Sequence, residues 1–235
     1  SFRCLTTLVF SGGGISRLGI SPWGNNKTVL LLRGLFGTAG LTAYFMTLQH
    51  IPLASAVTLQ YLSPVFTVLF ARLLLGERLK WLQLLFFAVS FAGVVVVKGT
   101  DHRIALPLLA LGICSALFSG LAYNMIRKAR KTEHPNVVVF YFPLVALPLI
   151  SVWCLYEWKT PTGVEWLWLL GTGVCTQFAQ MAMTRAFMAE QVASVAGLHY
   201  LGLVYSFLIG WIGFGEWYSV WTLAGMLLLV TGVLA

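Results

Sequence analysis

Charged residues are scarce in this sequence, and acidic ones are the scarcest. Charged side chains make up 9% of the 235 residues, and Asp and Glu together number seven. A typical soluble domain is about 25% charged. So few charges cannot cover a globular surface in water when 59% of the residues are hydrophobic. The composition excludes a soluble, disordered or collagen-like chain and predicts an all-α polytopic membrane protein.

The cysteines lack the spacing of a metal site or a disulfide framework. All four lie inside apolar runs, and none forms a CxxC pair: Cys4, Cys114, Cys154 and Cys175. We interpret them as packing residues of membrane helices. The sequence therefore predicts neither a metal nor any other cofactor.

Long apolar runs account for most of the chain. A bilayer core needs about 20 mostly apolar residues per helix. Short loops join most of these runs, which makes neighbouring helices antiparallel. The predicted spans are 28–49, 53–75, 80–98, 104–127, 137–156, 165–187, 192–214 and 218–235. A ninth run, 2–20, is shorter, and we expect the glycines at 12–14 to break it.

The basic residues are distributed unequally between the two sides of the membrane. Eleven of the 15 Lys and Arg fall on one side, which the positive-inside rule makes cytoplasmic. The C-terminus then lies in the cytoplasm, and we expect a bacterial inner membrane as the location. Because these residues sit at the ends of apolar runs, the net charge of +8 does not indicate nucleic-acid binding.

An internal repeat relates the two halves of the chain. Residues 53–77 and 192–216 align without gaps, and nine of the 25 positions are identical, including a shared Tyr-Leu and a terminal Gly-Glu. The same offset pairs most of the other spans. We interpret residues 1–98 and 104–235 as two repeats.

Each complete repeat has five helices, so the two repeats enter the membrane from opposite sides. This predicts an inverted five-plus-five architecture, of which nine helices, the first one partial, are present here. The counterpart of span 104–127 falls before Ser1. We therefore expect the native gene to encode a further helix upstream.

The repeat resembles a known family. The segment IPLASAVTLQYLSPVFTVLFARLLLGERL and the later EQVASVAGLHYLGLVYSFLIGWIGFGEWYSVW are similar to the two repeats of EamA-type permeases of the drug/metabolite transporter superfamily. The resemblance implies ten helices around a central cavity, cytoplasmic termini and alternating access.

Polar side chains inside the spans are the candidate substrate-binding residues. An amide or hydroxyl in the membrane must either bond a neighbouring helix or line a wet cavity, and both alternatives stay open. The small residues Gly112, Ala116 and Gly120 are better explained as a helix-packing seam. The candidates are Tyr44, Gln60, Tyr61, Tyr123, Asn124, Gln177, Gln180, His199 and Tyr200.

Ionisable groups are almost absent from the spans. With the spans and orientation predicted above, His199 is the one ionisable side chain well inside a span, and Arg33 is a charge on the cytoplasmic side. All seven carboxylates fall in loops or at span ends. No acid is then available at mid-membrane for a cation, which favours a neutral, zwitterionic or anionic organic solute.

The leading hypothesis is a secondary transporter of small organic metabolites, whose partners are its solute and the lipid bilayer. A homodimer is left open. A structural or receptor-like membrane protein is one alternative. An intramembrane enzyme is less favoured, because the sequence contains no GxSxG, no HExxH and no paired aspartates.

Overall fold

The computed structural model describes residues 2–51, 53–76, 105–156, 160–192, 194–195 and 201–215, with isolated positions at 92, 217, 220, 223 and 224. Over these residues the secondary structure is helical, without a strand. The helices are α1 (Phe2–Leu18), α2 (Lys27–Leu48), α3 (Leu53–Gln60), α4 (Ser63–Leu75), α5 (Leu106–Ala129), α6 (Pro135–Tyr156), α7 (Glu165–Ala189) and α8 (Leu201–Phe214).

Several of these helices are suited to a membrane. Four helical stretches are long and apolar enough to cross one: Lys27–Leu48, Ser55–Leu75, Leu106–Ala129 and Pro135–Tyr156. Large apolar side chains such as Val9, Leu73 and Leu155 are at least 70% exposed, as is expected of surfaces that face lipid. The chain is therefore a multi-pass helical membrane protein.

The first compact unit comprises Ser1–Thr38 and Met125–Glu190. In it α1 packs against both α6 and α7. The expected break at the glycines of α1 is wrong, because α1 is continuous from Phe2 to Leu18. Its glycines instead allow close packing: a Cβ at Gly14 would lie 2.8 Å from Nδ2 of Asn136 on α6.

The second compact unit comprises Ala39–Asn124 and Gln191–Ala235. Its apolar core joins α3 and the residues on either side of it to α5, through the buried side chains of Ile51, Ala56, Leu59, Leu62 and Ala116.

The packing seam predicted on α5 is confirmed in this unit. A Cβ at Gly112 would lie 2.6 Å from Cδ1 of Leu59 on α3, and a Cβ at Gly120 would lie 2.9 Å from the backbone nitrogen of Thr67 on α4. Ala116, between them, is completely buried. The small residues of α5 therefore allow the helix backbones to approach closely.

The predicted span 53–75 is not one regular helix, since α3 ends at Gln60 and α4 begins at Ser63. Pro64 explains the interruption, because it has no N–H to donate to the carbonyl of Gln60 four residues earlier. At the junction the N–H of Leu62 instead donates to the carbonyl of Leu59, at 3.1 Å and one residue closer than in an α-helix.

Spans 80–98 and 218–235 and the start of span 192–214 lie largely or wholly outside the described residues. The inverted nine-helix repeat therefore stays a prediction.

Candidate functional site

The candidate site residues occur in both compact units. Tyr44, Gln60, Tyr61, Tyr123 and Asn124 belong to the second unit, and both candidate glutamines of α7 belong to the first. His199 and Tyr200 lie outside the described residues. Their grouping with Gln60 and Tyr61 around a shared cavity stays a prediction.

Gln60, the last residue of α3, is bonded to α5 through two serines. Its Nε2 donates to Oγ of Ser119 at 2.9 Å, and its Oε1 lies 2.7 Å from Oγ of Ser115. The Ser115 hydroxyl is also 2.8 Å from the carbonyl oxygen of Gly40 on α2. A hydroxyl has one proton, so Ser115 donates to only one of these two acceptors at a time. The other acceptor is then available to a different donor.

Two tyrosines lie beside the same apolar core. Tyr44 and Tyr61 are both partly buried and pack against the cluster that includes Leu59 and Leu62. Tyr61 directly follows α3, at the helix interruption, and a Cβ at Gly202 of α8 would collide with its hydroxyl oxygen. The Tyr61 hydroxyl thus lies against α8, where a glycine leaves room for it.

Asn124 and Tyr123 lie side by side on α5 in different surroundings. Asn124 is completely buried, and its Nδ2 donates to the carbonyls of Thr67 on α4 and Gly120 on α5, at 2.8 and 2.9 Å. For Asn124 the geometry favours the alternative of interhelical bonding. Tyr123 is half-buried.

The polar face of α7 contacts the other helices of the first unit. A Cβ at Gly173 would lie 2.5 Å from Oγ1 of Thr6 on α1, so α1 and α7 pack closely there. Gln177 and Thr184 are buried, and their Oε1 and Oγ1 atoms have no hydrogen-bond partner. Oε1 of Gln180 accepts a bond from Nη2 of Arg33 at 3.3 Å.

The structure buries Arg33, which the sequence analysis placed on the cytoplasmic side of the membrane. It lies within α2, is only 3% exposed, and its Cζ is 5.2 Å from the ring centroid of Phe142 on α6. That His199 is the one ionisable side chain well inside a span stays a prediction, because burial between helices does not give the depth of Arg33 in the membrane. Arg33 is six residues after Lys27, the first residue of α2, and its burial follows from packing against α6, which the sequence does not show.

Two further charged residues hold helix ends in the first unit. Oε1 of Glu133 accepts the backbone N–H groups of Asn25, at 2.7 Å, and Asn26, just before α2 begins. Nη1 of Arg127 donates to the carbonyls of Phe187 and Met188 at the end of α7, at 3.4 and 3.3 Å. A negative charge at a helix start and a positive charge at a helix end both complement the helix dipole.

These observations define a class: a multi-pass helical membrane protein with an interrupted span and polar side chains bonded between its helices. The particular family follows from sequence comparison. The sequence model of the EamA-like transporter family matches residues 1–99 and 106–235, and the chain belongs to this family.

Named relatives of the chain are transporters rather than enzymes. It is 34% identical to the pseudopaline exporter CntI of Pseudomonas aeruginosa, over 96% of this chain and 78% of that protein. It is 26% identical to solute carrier family 35 member G1 of Mus musculus, over 90% of this chain and 61% of that protein. A solved crystal structure of a protein with 23% identity matches its fold with a TM-score of 0.73, covering 99% of this chain and 84% of the other.

Proposed function

We propose that the chain is a secondary transporter that moves a small organic metabolite across the membrane by alternating access. In this proposal the two inverted repeats, 1–98 and 104–235, rock against each other around a central substrate site. Membership of a transporter family and the similarity to an exporter support the proposal. The same similarity favours export over uptake.

The observation that carries the proposal is the interruption between α3 and α4. Tyr61 lies six residues after Ser55, about 9 Å along the axis of a stretch that is apolar enough to span a bilayer core of about 30 Å. There the backbone tightens into a 3₁₀-type turn while Leu62 keeps right-handed helical angles of φ −73° and ψ −15°. A 3₁₀ turn in the middle of a helix often marks a functional hinge.

The side chains at the interruption suit a site that binds and releases a solute. Oε1 of Gln60 and the carbonyl oxygen of Gly40 both lie within bonding distance of the Ser115 hydroxyl, which has one proton. If an N–H or O–H of a solute donates to one of these two oxygens, the Ser115 proton can donate to the other, so neither oxygen is left unpaired. We assign Gln60 and Tyr61 to the substrate site on this basis. Tyr44, Tyr123, Gln177, Gln180, His199 and Tyr200 remain candidate substrate contacts.

The substrate can be sought by comparing cells that make the full-length protein with cells that make an inactive variant. If the protein exports a metabolite, that metabolite will accumulate inside cells carrying Gln60→Ala and in the medium of cells carrying the wild type. Pseudopaline is the first compound to measure, because a relative exports it. The matched control is Gln49→Ala, which makes the same change at an exposed position just after α2. Identical metabolite pools in all strains would contradict export.

We further propose that the protein resides in a bacterial inner membrane with its C-terminus in the cytoplasm. The asymmetry of Lys and Arg along the sequence supports this orientation. A C-terminal fusion to a reporter that is fluorescent only in the cytoplasm should be bright. A C-terminal alkaline phosphatase, active only outside the cytoplasm, should be inactive, and the opposite pair of results would reverse the topology.

A further inference from the structure

Five exposed basic side chains lie at two helix-to-helix connections of the first compact unit. One connection runs from the end of α1 to the start of α2, and the other runs from the end of α5 to the start of α6. We call the five side chains together the basic surface: Arg17, Lys27, Lys128, Arg130 and Lys131.

Hydrogen bonds hold the two connections against each other. The backbone N–H of Asn25 donates to Oε1 of Glu133 at 2.7 Å, and Nδ2 of Asn25 donates to the carbonyl of Thr132 at 2.8 Å. Lys27 follows Asn25 by two residues, and Lys131 directly precedes Thr132. Residues that are distant in the sequence therefore contribute their charges to one surface.

The sequence of these connections contains little negative charge. In residues 17–27 and 127–134 the one acidic residue is Glu133. Glu133 is only 8% exposed, and its Oε1 accepts the backbone N–H groups of both Asn25 and Asn26. Its carboxylate thus binds backbone at the start of α2, whereas the basic side chains around it are exposed.

The end of α7 lies beside the basic surface and leaves its charge unchanged. Nη1 of Arg127 donates to the carbonyls of Phe187 and Met188, which places the last turn of α7 next to the end of α5. This end of α7 contributes one exposed charge of each sign, from Arg185 and Glu190.

The basic surface lies where membrane-spanning helices begin and end. α2, α5 and α6 are each long and apolar enough to cross a bilayer, and the surface is at the start of α2, the end of α5 and the start of α6. Beside it, Leu18 and Trp23 are 56% and 65% exposed. An exposed tryptophan next to apolar helices is typical of the membrane–water interface. The five charges are therefore at the level of the lipid headgroups.

We infer that the basic surface binds the phosphate headgroup of an anionic phospholipid from the surrounding bilayer. Lys and Arg donate charge-assisted hydrogen bonds to phosphate oxygens, and clusters of basic residues next to a membrane helix attract anionic lipids. The exposed Leu18 and Trp23 would contact the acyl chains of the same lipid. A lipid bound to both connections would hold α1 and α2 against α5 and α6. This inference goes beyond the proposed transport function and does not depend on it.

The test is thermal unfolding of the purified full-length protein in a neutral detergent, titrated with three compounds. Phosphatidylglycerol should raise the Tm in a saturable way, and added salt should reduce the shift. Phosphatidylcholine with the same acyl chains, which has no net charge, should not raise the Tm. Glycerol 1-phosphate, which has the phosphate without the chains, should not raise it either.

The three titrations separate the possible sources of the effect. No shift with phosphatidylglycerol, or an equal shift with phosphatidylcholine, would overturn the inference. A shift with glycerol 1-phosphate as large as that with phosphatidylglycerol would overturn the assignment to a lipid and indicate a site for a free phosphate compound.

Variants show whether the basic surface is responsible. The triple variant Lys27→Gln/Arg130→Gln/Lys131→Gln should raise the half-saturating amount of phosphatidylglycerol roughly tenfold or more, because three of the five charges are lost. The matched control Lys27→Arg/Arg130→Lys/Lys131→Arg changes the same positions but keeps the charge, and it should bind like the wild type.

The comparison of the two triple variants decides the inference. If the neutral variant binds phosphatidylglycerol as the wild type does, or if both variants lose binding equally, the inference is overturned. If the neutral variant does not fold, the single variants Lys128→Gln and Lys131→Gln at exposed positions replace it. Each should weaken binding, and unchanged binding in both would equally overturn the inference.

Discussion

The hydroxyl oxygen of Ser115 lies 2.7 Å from the side-chain carbonyl oxygen of Gln60, which joins the middle of α5 to the end of α3. This bond forms where the span 53–75 is interrupted. Apolar packing of Leu59 and Ala116 surrounds it and fixes the helices in register. The hydrogen bond between Ser115 and Gln60, whose proton is shared with the carbonyl of Gly40, is thus enclosed by apolar side chains.

Replacing Ser115 with Ala should lower the free energy of unfolding by about 0.5–1.5 kcal/mol, since one interhelical hydrogen bond is lost from a buried site. Denaturant unfolding in detergent measures the change. Ser16→Ala, at an exposed position of α1, is the control and should be nearly neutral. A Ser115→Ala protein as stable as the control would show that the bond contributes no stability.

Replacing Gly120 with Ala should destabilise the second unit. The new Cβ would lie 2.9 Å from both the backbone nitrogen of Thr67 and Cβ of Phe66, so a helix must shift. Over-packing of this kind costs about 1–3 kcal/mol. Gly171→Ala on α7 is the matched control, because nothing lies within 4 Å of its new Cβ. The control should be neutral or slightly stabilising, since Ala favours helix over Gly. Equal effects in the two variants would refute the close packing of α5 against α4.

Replacing Pro64 with Ala should separate stability from activity. The new N–H can donate to the carbonyl of Gln60, so the chain can form a continuous helix through Tyr61. We expect a stability that is unchanged or higher, and solute flux reduced at least tenfold. Pro107→Ala, exposed in the first turn of α5, should affect neither. Full flux in a stable Pro64→Ala protein would show that transport does not need the interruption.

Replacing Glu133 with Ala should destabilise the first unit by about 1–2 kcal/mol. The backbone N–H groups of Asn25 and Asn26 lose their shared acceptor at the start of α2. Thermal unfolding checks the loss, with Glu190→Ala, an exposed carboxylate just after α7, as the control. If both variants unfold at the same temperature, Glu133 does not stabilise the start of α2.

The sequence predicted well those features that depend on composition and local pattern. The apolar runs became helices such as Leu106–Ala129, and the small residues at 112, 116 and 120 pack as expected. Each of these features follows from residues within a few turns of one helix.

Features that depend on a second helix could not be predicted in the same way. The sequence predicted a helix break at the glycines of α1. The helix is instead continuous, and Asn136 of α6 packs against Gly14. The sequence predicted Arg33 as a charge on the cytoplasmic side, but it could not predict that Phe142 and Gln180, more than a hundred residues away, contact this side chain and bury it. The interruption at Gln60 could have been inferred from Pro64, since the missing N–H is a local signal.

The most direct test of the central claim is counterflow in liposomes that contain the purified full-length protein. The liposomes are loaded with the solute identified by the export comparison, and uptake of its labelled form is followed. Saturable uptake above that of empty liposomes, reduced at least tenfold by Gln60→Ala and unchanged by Gln49→Ala, is the result expected of a transporter that uses this site. Uptake no greater than in empty liposomes, or equal in the two variants, would contradict the account.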